Sequence, residues 1–374
     1  MTTIALIWLA ILLFKLFFTL KLLHAHRGQG RTDFRDVTVM QPILSGDPAL
    51  ESVLASTLRN LDGASFLWLI DDDDAQAARV TQRLLQRNPH SIVRILSYPQ
   101  PPEGVNPKLF KLERGSAQVD TGTVLILDDD AVLSASSLET LLAQLRDNTL
   151  VTALPWYRAE ENVPSRLLAQ FVNDNSALTY LPLLPFARPL SLNGMCYALR
   201  LSTLERVGGF TPIMRHLTDD LALATLLTSK GVEIVQSVAP VAVQTSVPDI
   251  RRYVRQMHRW FLFATLLMRE KNLATNLAIF ALQGIHPLLL WMMLILAFGS
   301  AANAGVLVAV LLTRHFALRR VQSAVSAEIP PRPALSLLSE LLQPLHLLHA
   351  LFNRSIYWRS RRYRIFSNDH FTSQ

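Results

Sequence analysis

Two runs of aspartates each follow a short apolar segment of the chain. Asp71–Asp74 come directly after Phe66–Ile70, and Asp128–Asp130 come directly after Val124–Leu127. Three adjacent carboxylates repel one another unless a cation or buried donors offset their charge. Mg²⁺ and Mn²⁺ favour carboxylate oxygens, and Mg²⁺ commonly takes one or two carboxylates together with substrate phosphates. The second run therefore predicts a Mg²⁺ or Mn²⁺ site.

A third acidic pair, Asp219–Asp220, follows Thr218 and precedes an apolar helical stretch. Each acidic run also has an ordinary structural explanation, because helices favour aspartate at the N-cap and in the first turn. Lys108 after Asn106-Pro107 has a similar alternative, a solvated lysine in a first helical turn. There is no Gly-x-Gly-x-x-Gly after the first strand and no Walker lysine motif, which argues against dinucleotide and P-loop chemistry.

The segment that holds these residues alternates short β-rich apolar runs with helix-period runs, the pattern of a parallel α/β sheet. The predicted strands are Val37–Leu44, Phe66–Ile70, Ile92–Leu96, Val124–Leu127 and Leu150–Leu154, with helices near 48–60, 75–87, 108–118 and 134–147. Ligands of open α/β sheets bind beyond the carboxyl ends of strands. Both acidic runs are therefore predicted at that edge.

The chain has 374 residues, of which 50% are hydrophobic and only 17% charged, an excess of apolar residues for a purely soluble protein. The excess lies in residues 3–24 and 274–355, which predicts membrane segments on both sides of a soluble domain. The basic clusters behind the net charge of +7 flank these segments, so anionic lipids are favoured over nucleic acid as partners. Cys196 is the only cysteine, which excludes an internal disulfide.

Thr3–Leu23 is long enough to span a bilayer core of about 30 Å. The alternative is a cleaved signal peptide, but lysines interrupt the apolar run and no small-residue cleavage site follows. A retained anchor is the favoured interpretation. The basic flank of His24, His26, Arg27, Arg31 and Arg35 predicts that the soluble domain lies in the cytosol, on a cytoplasmic (inner) membrane.

Two further apolar blocks, Leu273–Ser300 and Ala301–Leu312, predict a membrane hairpin. A third block, Ala334–Phe352, contains Glu340 and ends in the basic stretch Arg354–Arg364. An interfacial or re-entrant helix keeps this basic stretch in the cytosol, whereas a full crossing places it outside. The interfacial arrangement is favoured, and the crossing is left open.

The ordered motifs resemble those of the family-two glycosyltransferases, specifically the ceramide glucosyltransferase-like branch, which also contains bacterial hopanoid glycosyltransferases. The resemblance extends over most of the chain. Its motifs are Pro42-Ile-Leu-Ser-Gly-Asp47-Pro48, Asp71–Asp74, Asn106-Pro107-Lys108, Asp128–Asp130, Asn193-Gly194-Met195, Thr218-Asp219-Asp220, Gln256-Met257-His258-Arg259-Trp260 and the basic end Trp358–Arg364.

The resemblance implies a GT-A fold that binds a UDP-sugar and transfers its sugar, with inversion, to a membrane lipid. It implies that Asp220 is the general base that deprotonates the acceptor hydroxyl. The implied donor-binding residues are Asp71, Asp73, Lys108, Asp128, Gln256, Arg259 and Trp260, with Asn193, Gly194 and Trp260 on the acceptor side. The implied metal ligands are Asp128 and Asp130. Arg259 would meet the diphosphate, because a planar guanidinium can bind two oxygens at once. Arg251–Phe263 also reads as an amphipathic helix on the membrane surface.

The resemblance divides the chain into an anchor (1–26), a catalytic domain (34–250), an interfacial helix (251–272), membrane helices (273–353) and a basic cytosolic tail (354–374). The acceptor stays open among sphingolipids, hopanoids and diacylglycerol, because no histidine occurs between Ala159 and Arg215, where the ceramide enzymes have one. Two other functions stay open: a processive polysaccharide synthase and a non-catalytic membrane scaffold. The oligomeric state is not predicted.

Overall fold

The computed structural model describes residues 1–25, 33–358, 361–365, 368–369 and 371–373. Three members of the predicted basic flank, His26, Arg27 and Arg31, lie outside the described residues. So do residues 359–360, 366–367, 370 and 374 of the predicted basic tail.

The chain between residues 37 and 243 builds one eight-stranded sheet with helices between its strands. The strands are β1 (Val37–Pro42), β2 (Ser65–Asp71), β3 (Ile92–Tyr98), β4 (Thr123–Leu127), β5 (Ala131–Leu133), β6 (Thr149–Tyr157), β7 (Cys196–Arg200) and β8 (Glu233–Val243). Helix α1 (Thr2–Ala25) precedes the sheet. The helices that follow it are α2 (Leu50–Asn60), α3 (Ala75–Arg87), α4 (Pro107–Ser116), α5 (Ala135–Gln144), α6 (Val163–Tyr180), α7 (Leu201–Arg206) and α8 (Asp219–Ser229).

The strand order is β3-β2-β1-β4-β7-β6-β8-β5, in which β7 and β5 run antiparallel to their neighbours. The predicted mostly parallel sheet is therefore confirmed, and all five predicted strands and four predicted helices are present. The first strand ends at Pro42, two residues earlier than predicted. Strands β5, β7 and β8 were not among the predicted strands.

β1 lies between β2 and β4 and is parallel to both, with Val39 opposite Phe66 on one side and Leu125 on the other. This register brings the carboxyl ends of the three strands to one edge of the sheet. Asp71 is the last residue of β2, and Asp128 follows the last residue of β4. Buried apolar side chains of the strands pack against helices on both faces, which holds these carboxyl ends in place.

The remaining helices are α9 (Ile250–Glu270), α10 (Leu273–Ile279), α11 (Ile285–Ala297), α12 (Ala301–Val325) and α13 (Pro333–Phe352). A π-helical turn, Phe280–Gly284, makes α10 and α11 continuous. In the described part of the chain, four helical segments are long and apolar enough to cross a membrane: Thr2–Ala25, Leu273–Ala297, Ala301–Val325 and Pro333–Phe352. Length and composition thus support a membrane protein.

Helix α13 contacts the α/β domain near both of its ends. Leu335, near its start, packs against the apolar cluster that contains Tyr157 and Leu167. Ala350, near its end, packs with Leu217, which comes just before α8. A short three-stranded sheet follows, formed by β9 (Ser355–Trp358), β10 (Arg361–Ile365) and β11 (Phe371–Ser373).

Candidate active site

The first acidic run divides into residues with different roles. Asp71 is buried, and its Oδ1 lies 3.1 Å from the Nζ of Lys111, which also donates to the carbonyl oxygen of Ile43 at 2.9 Å. Asp74 caps α3 by accepting from the backbone N–H of Ala77, which confirms the N-cap interpretation for this residue. Asp73 is exposed and accepts from the Nε2 of Gln100. Only Asp71 of these three is enclosed at the strand end.

Lys108 joins the second acidic run to the acidic pair of α8. Its Nζ lies 2.7 Å from Asp128 Oδ1 and 2.9 Å from Asp219 Oδ2, and it donates to the carbonyl oxygen of Gly194 at 2.9 Å. Burial by itself would lower the pKa of this ammonium, but the charges of Asp128 and Asp219 raise it well above its ordinary value. Lys108 is therefore a charged bridge and not a solvated first-turn lysine.

Asn106 places Lys108 at the start of α4. Its side chain accepts from the backbone N–H groups of Lys108 and Leu109, and Pro107 occupies the first helical position. The Nδ2 of Asn106 donates to the carbonyl oxygen of His216 at 3.1 Å. The predicted Asn-Pro-Lys motif thus caps its own helix and also reaches the loop before α8.

The carboxylates after β4 concentrate negative charge. Burial, followed by the charges of Asp128, Asp129 and Asp47, raises the pKa of Asp130 well above its ordinary value. Asp129 is held apart from the other two because its Oδ2 accepts from the backbone N–H of Leu44 at 2.7 Å. A cation beside Asp128 and Asp130 would offset this repulsion.

No group of three His, Cys, Asp or Glu side chains in the described residues is arranged to hold a metal ion alone. The donor set nevertheless fits a divalent cation of the kind predicted. Mg²⁺ needs only one or two carboxylates when substrate phosphates complete its shell, and Asp128 and Asp130 are carboxylates at a crowded, partly buried strand end.

Asp220 is the second residue of α8 and lies against Gly194. A Cβ added at Gly194 would come within 3.2 Å of the Asp220 Cβ, so a glycine allows this close approach. Burial and then the charge of Asp219 raise the pKa of Asp220 to about 7. A carboxyl group with a pKa in this range is suited to act as a general base near neutral pH.

Asn193 holds the turn that carries Gly194. Its backbone N–H donates to the Thr152 hydroxyl at 3.0 Å, and its Nδ2 donates to the carbonyl oxygen of Ala153 at 3.3 Å. The Asn193 side chain is buried. Its contacts orient the backbone next to Asp220.

Helix α9 presents Gln256, Arg259, Trp260 and Phe263 on one face, at the spacing of successive turns. The Arg259 Nε is buried and has no hydrogen-bond partner in the described part of the structure. Burial lowers the pKa of this guanidinium, while Tyr157 and Asp130 act in the opposite direction. The Trp260 ring meets the Tyr157 ring edge-on, with 5.9 Å between the ring centroids. It is stacked with the Phe171 ring, with 6.1 Å between the centroids.

A cavity of about 210 Å³ lies between α4, the end of β4, the loop before α8, and α9. It is lined by Pro42, Pro107, Lys108, Lys111, Asp128, Asp129, Leu217, Asp219, Arg259 and Phe263. Three of the predicted site residues, Lys108, Asp128 and Arg259, are thus brought together.

The other predicted residues adjoin this lining or lie outside it: Asp71, Asp73, Asp130, Asn193, Gly194, Asp220, Gln256 and Trp260. Asp71 reaches the lining through Lys111, and Gly194 reaches it through Lys108.

Two residues that form ion pairs in the site were not among the predicted site residues. Lys111 is the partner of Asp71, and its position one turn after Lys108 was the available signal. Asp219 pairs with Lys108, and it was visible only as the middle residue of the Thr-Asp-Asp motif. Sequence alone does not indicate which of two adjacent aspartates faces a lysine 111 positions earlier.

An α/β sheet that ends in acidic clusters, joined to membrane-type helices, is the architecture expected of a glycosyltransferase of the GT-A type. The chain belongs to glycosyl transferase family 21, whose model matches residues 2–371, and this family includes ceramide glucosyltransferases. The match confirms the prediction of a glycosyltransferase and of its fold class. No curated protein matches the chain.

Two solved structures show a remote likeness. The mannosyltransferase PcManGT from Pyrobaculum calidifontis, in complex with GDP-Man and Mn²⁺, is 16% identical, with 93% of this chain and 98% of that chain covered and a TM-score of 0.48. Glucosyl-3-phosphoglycerate synthase from Mycobacterium tuberculosis, in complex with Mn²⁺, UDP and phosphoglyceric acid, is 18% identical, with 63% of this chain and 78% of that chain covered and a TM-score of 0.37.

Proposed function

We propose that this glycosyltransferase transfers a hexose or N-acetylhexosamine from a UDP-sugar to the hydroxyl of a membrane lipid, with inversion at the anomeric carbon. The observation that carries the proposal is the bridge made by Lys108. It joins Asp128, at the predicted metal side, to Asp219, next to the proposed base Asp220. The two acidic groups that an inverting transfer requires therefore belong to one connected site.

In this proposal Asp71 contacts the uridine, and Asp128 and Asp130 hold a Mg²⁺ or Mn²⁺ ion that, when bound, offsets charge on the UDP leaving group. Arg259 lines the cavity with an unpartnered Nε, and it binds the diphosphate oxygens. The cavity, at about 210 Å³, is smaller than the roughly 300–1,000 Å³ of common ligand sites, so it holds only part of the donor.

Asp220 takes the proton from the acceptor hydroxyl as the oxygen attacks the anomeric carbon and the bond to UDP breaks. Its raised pKa provides a base that is strong enough for the task and still largely ionised slightly above neutral pH. Tyr180 faces the same carboxylate, whose charge adds to burial in raising the pKa of that phenol to about 12. Tyr180 therefore stays neutral and does not compete as a base.

The lipid acceptor is supported by the apolar surroundings of Trp260. Trp260 packs against a buried cluster that also receives Leu335 and Leu342 from α13, one of the membrane-type helices. Packed apolar side chains thus connect a membrane-type helix to the proposed acceptor side of the site. The α9 arginines Arg251 and Arg252 are exposed on the same helix and suit anionic lipid headgroups.

The proposal is tested on the full chain in detergent with a native lipid extract and Mn²⁺ or Mg²⁺. A panel of labelled UDP-sugars is offered, and label is followed into the organic phase. We expect one donor to label a lipid, with transfer abolished by EDTA and by Asp220→Asn and retained in Asp62→Asn, which changes an exposed aspartate away from the site. Label in a water-soluble polymer would identify a polysaccharide synthase, and no transfer from any donor would support the scaffold hypothesis.

A further inference from the structure

The C-terminal segment reaches the loop that carries the proposed base. Asn368 is buried, and its side-chain Oδ1 accepts from the backbone N–H of Thr218 at 2.9 Å and from the Thr218 hydroxyl at 2.5 Å. Its backbone carbonyl oxygen accepts from the N–H of Leu217 at 2.9 Å. Three hydrogen bonds thus join two residues of the loop to a position 150 residues later in the chain.

These contacts replace an ordinary helix cap. Thr218 is the N-cap residue of α8, but its side chain makes no capping hydrogen bond to the helix. A threonine at this position commonly accepts from an N–H of the first turn. Here the hydroxyl donates to Asn368 instead, so the conformation of the helix start depends on a residue outside the helix.

The loop is held from two sides. From α4, Asn106 donates through its Nδ2 to the carbonyl oxygen of His216, and its backbone N–H donates to the carbonyl oxygen of Met214. From the C-terminal segment, the backbone carbonyl and the side chain of Asn368 accept hydrogen bonds from the N–H groups of Leu217 and Thr218, respectively. Consecutive residues before α8 are therefore bonded to separate parts of the fold.

The next two residues are the acidic pair of the site. Asp219 pairs with Lys108 at 2.9 Å, and Asp220 lies against Gly194. A shift of Thr218 would move both carboxylates, because Asp219 and Asp220 are the first two residues of the helix that Thr218 begins. Displacements of about 1 Å in a catalytic group can lower rates on the order of 10²-fold.

We propose that Asn368 is a positioning residue for Asp220, and that the C-terminal segment is therefore part of the active-site architecture rather than only a basic tail. This inference rests on the proposed function of Asp220. Asn368 acts through Thr218 and is not itself placed against the substrate.

The test combines Asn368→Ala and Asn368→Asp with a control, Asn353→Ala, which changes an exposed asparagine of the same C-terminal region. With donor and lipid, we expect Asn368→Ala to lower kcat on the order of 10- to 100-fold, with the KM for the donor nearly unchanged. Asn368→Asp keeps an oxygen that accepts both Thr218 hydrogen bonds, and it should recover much of the lost kcat. The control should behave as wild type.

Hydrogen exchange provides a readout that does not require sugar transfer. The amide of Thr218, which donates to the Asn368 side chain, should lose protection in Asn368→Ala and keep it in Asn368→Asp and in the control, while the strands of the large sheet stay protected in all variants. Unchanged protection of the Thr218 amide in Asn368→Ala would overturn the contact. Lost protection with an unchanged kcat would overturn the positioning role alone. If the wild type transfers no sugar but the exchange pattern appears, the proposed function fails and the contact stands.

Discussion

The Nζ of Lys108 lies 2.9 Å from the Oδ2 of Asp219, and the two residues come from helices α4 and α8 on separate parts of the chain. The same Nζ lies 2.7 Å from Asp128 Oδ1. One ammonium therefore offsets two partly buried carboxylates that would otherwise face each other. The charges that line the cavity therefore also contribute to the stability of the fold.

Replacement of Lys108 by methionine should destabilise the protein by about 2 kcal/mol, because two carboxylates lose their shared partner. Thermal unfolding in detergent without donor or divalent ion would measure the loss. Millimolar Mn²⁺ should restore part of it, since a cation can replace the missing charge. The exposed Lys230→Met is the control. An unchanged melting temperature for Lys108→Met would contradict the bridging role.

The ion pair of Asp71 and Lys111 should show strong energetic coupling. Both side chains are at least 95% buried, so Lys111→Met leaves an uncompensated buried charge and should cost about 3–5 kcal/mol. Adding Asp71→Asn removes that charge, so the double variant should lose less than the sum of the two single variants. Denaturant unfolding of all four proteins would measure the coupling, and additive losses would show that the pair is not coupled.

The pH dependence of transfer should report Asp220. Its raised pKa means that the carboxyl group is protonated and inactive below about pH 7 and becomes a base as pH rises through that value. The groups that face it are Asp219, Lys108, Tyr180 and Tyr197. Values of kcat/KM measured from pH 5 to 9 should therefore fall toward acidic pH, with the midpoint of this acidic limb near pH 7.

Asp219→Asn removes the negative charge that adds to burial in raising the Asp220 pKa. The acidic limb of this variant should move to lower pH, whereas the limb of Asp62→Asn should stay in place. A limb that does not move in Asp219→Asn would assign the titration to a group other than Asp220.

Trp260 should contribute to acceptor binding more than to donor binding. Its ring contacts Tyr157 and Phe171 within an apolar cluster, so Trp260→Ala removes a large apolar surface. We expect the KM for the lipid to rise about tenfold, with a smaller rise for Trp260→Phe. Steady-state kinetics with each substrate varied in turn would separate the two effects. A larger change in the KM for the donor would place Trp260 on the donor side.

A buried ionic network should hold the membrane-type helices to the α/β domain. Arg314 of α12 lies 2.5 Å from Glu340 of α13 and 3.8 Å from Asp174 of α6, and all three side chains are at least 92% buried. Arg314→Leu leaves two buried carboxylates without this partner and should cost about 3–5 kcal/mol. Thermal unfolding in detergent would measure it against Arg320→Leu, an exposed arginine of the same helix. Equal melting temperatures would show that the network does not stabilise the fold.

The strands and helices of the first half were predictable because their signals are local. Short β-rich apolar runs, separated by helix-period segments, marked β1 to β4 and β6, and Asn106-Pro107 marked the start of α4. The edge of the sheet that collects the acidic runs was also predictable, since the carboxyl ends of parallel strands meet at one edge. The antiparallel strand β7 was missed because its run, Cys196–Arg200, is only five residues long.

The amino-acid sequence by itself determined the class of the protein: apolar segments on both sides of an α/β domain, and acidic motifs in a characteristic order. Only the tertiary structure decided the pairings, Lys108 with Asp128 and Asp219, Asp71 with Lys111, and Asn368 with Thr218. The physical reason is that ion pairs and hydrogen bonds between distant segments depend on which side chains the packed backbone brings within about 3 Å. Residue types and spacing along the chain do not contain that distance.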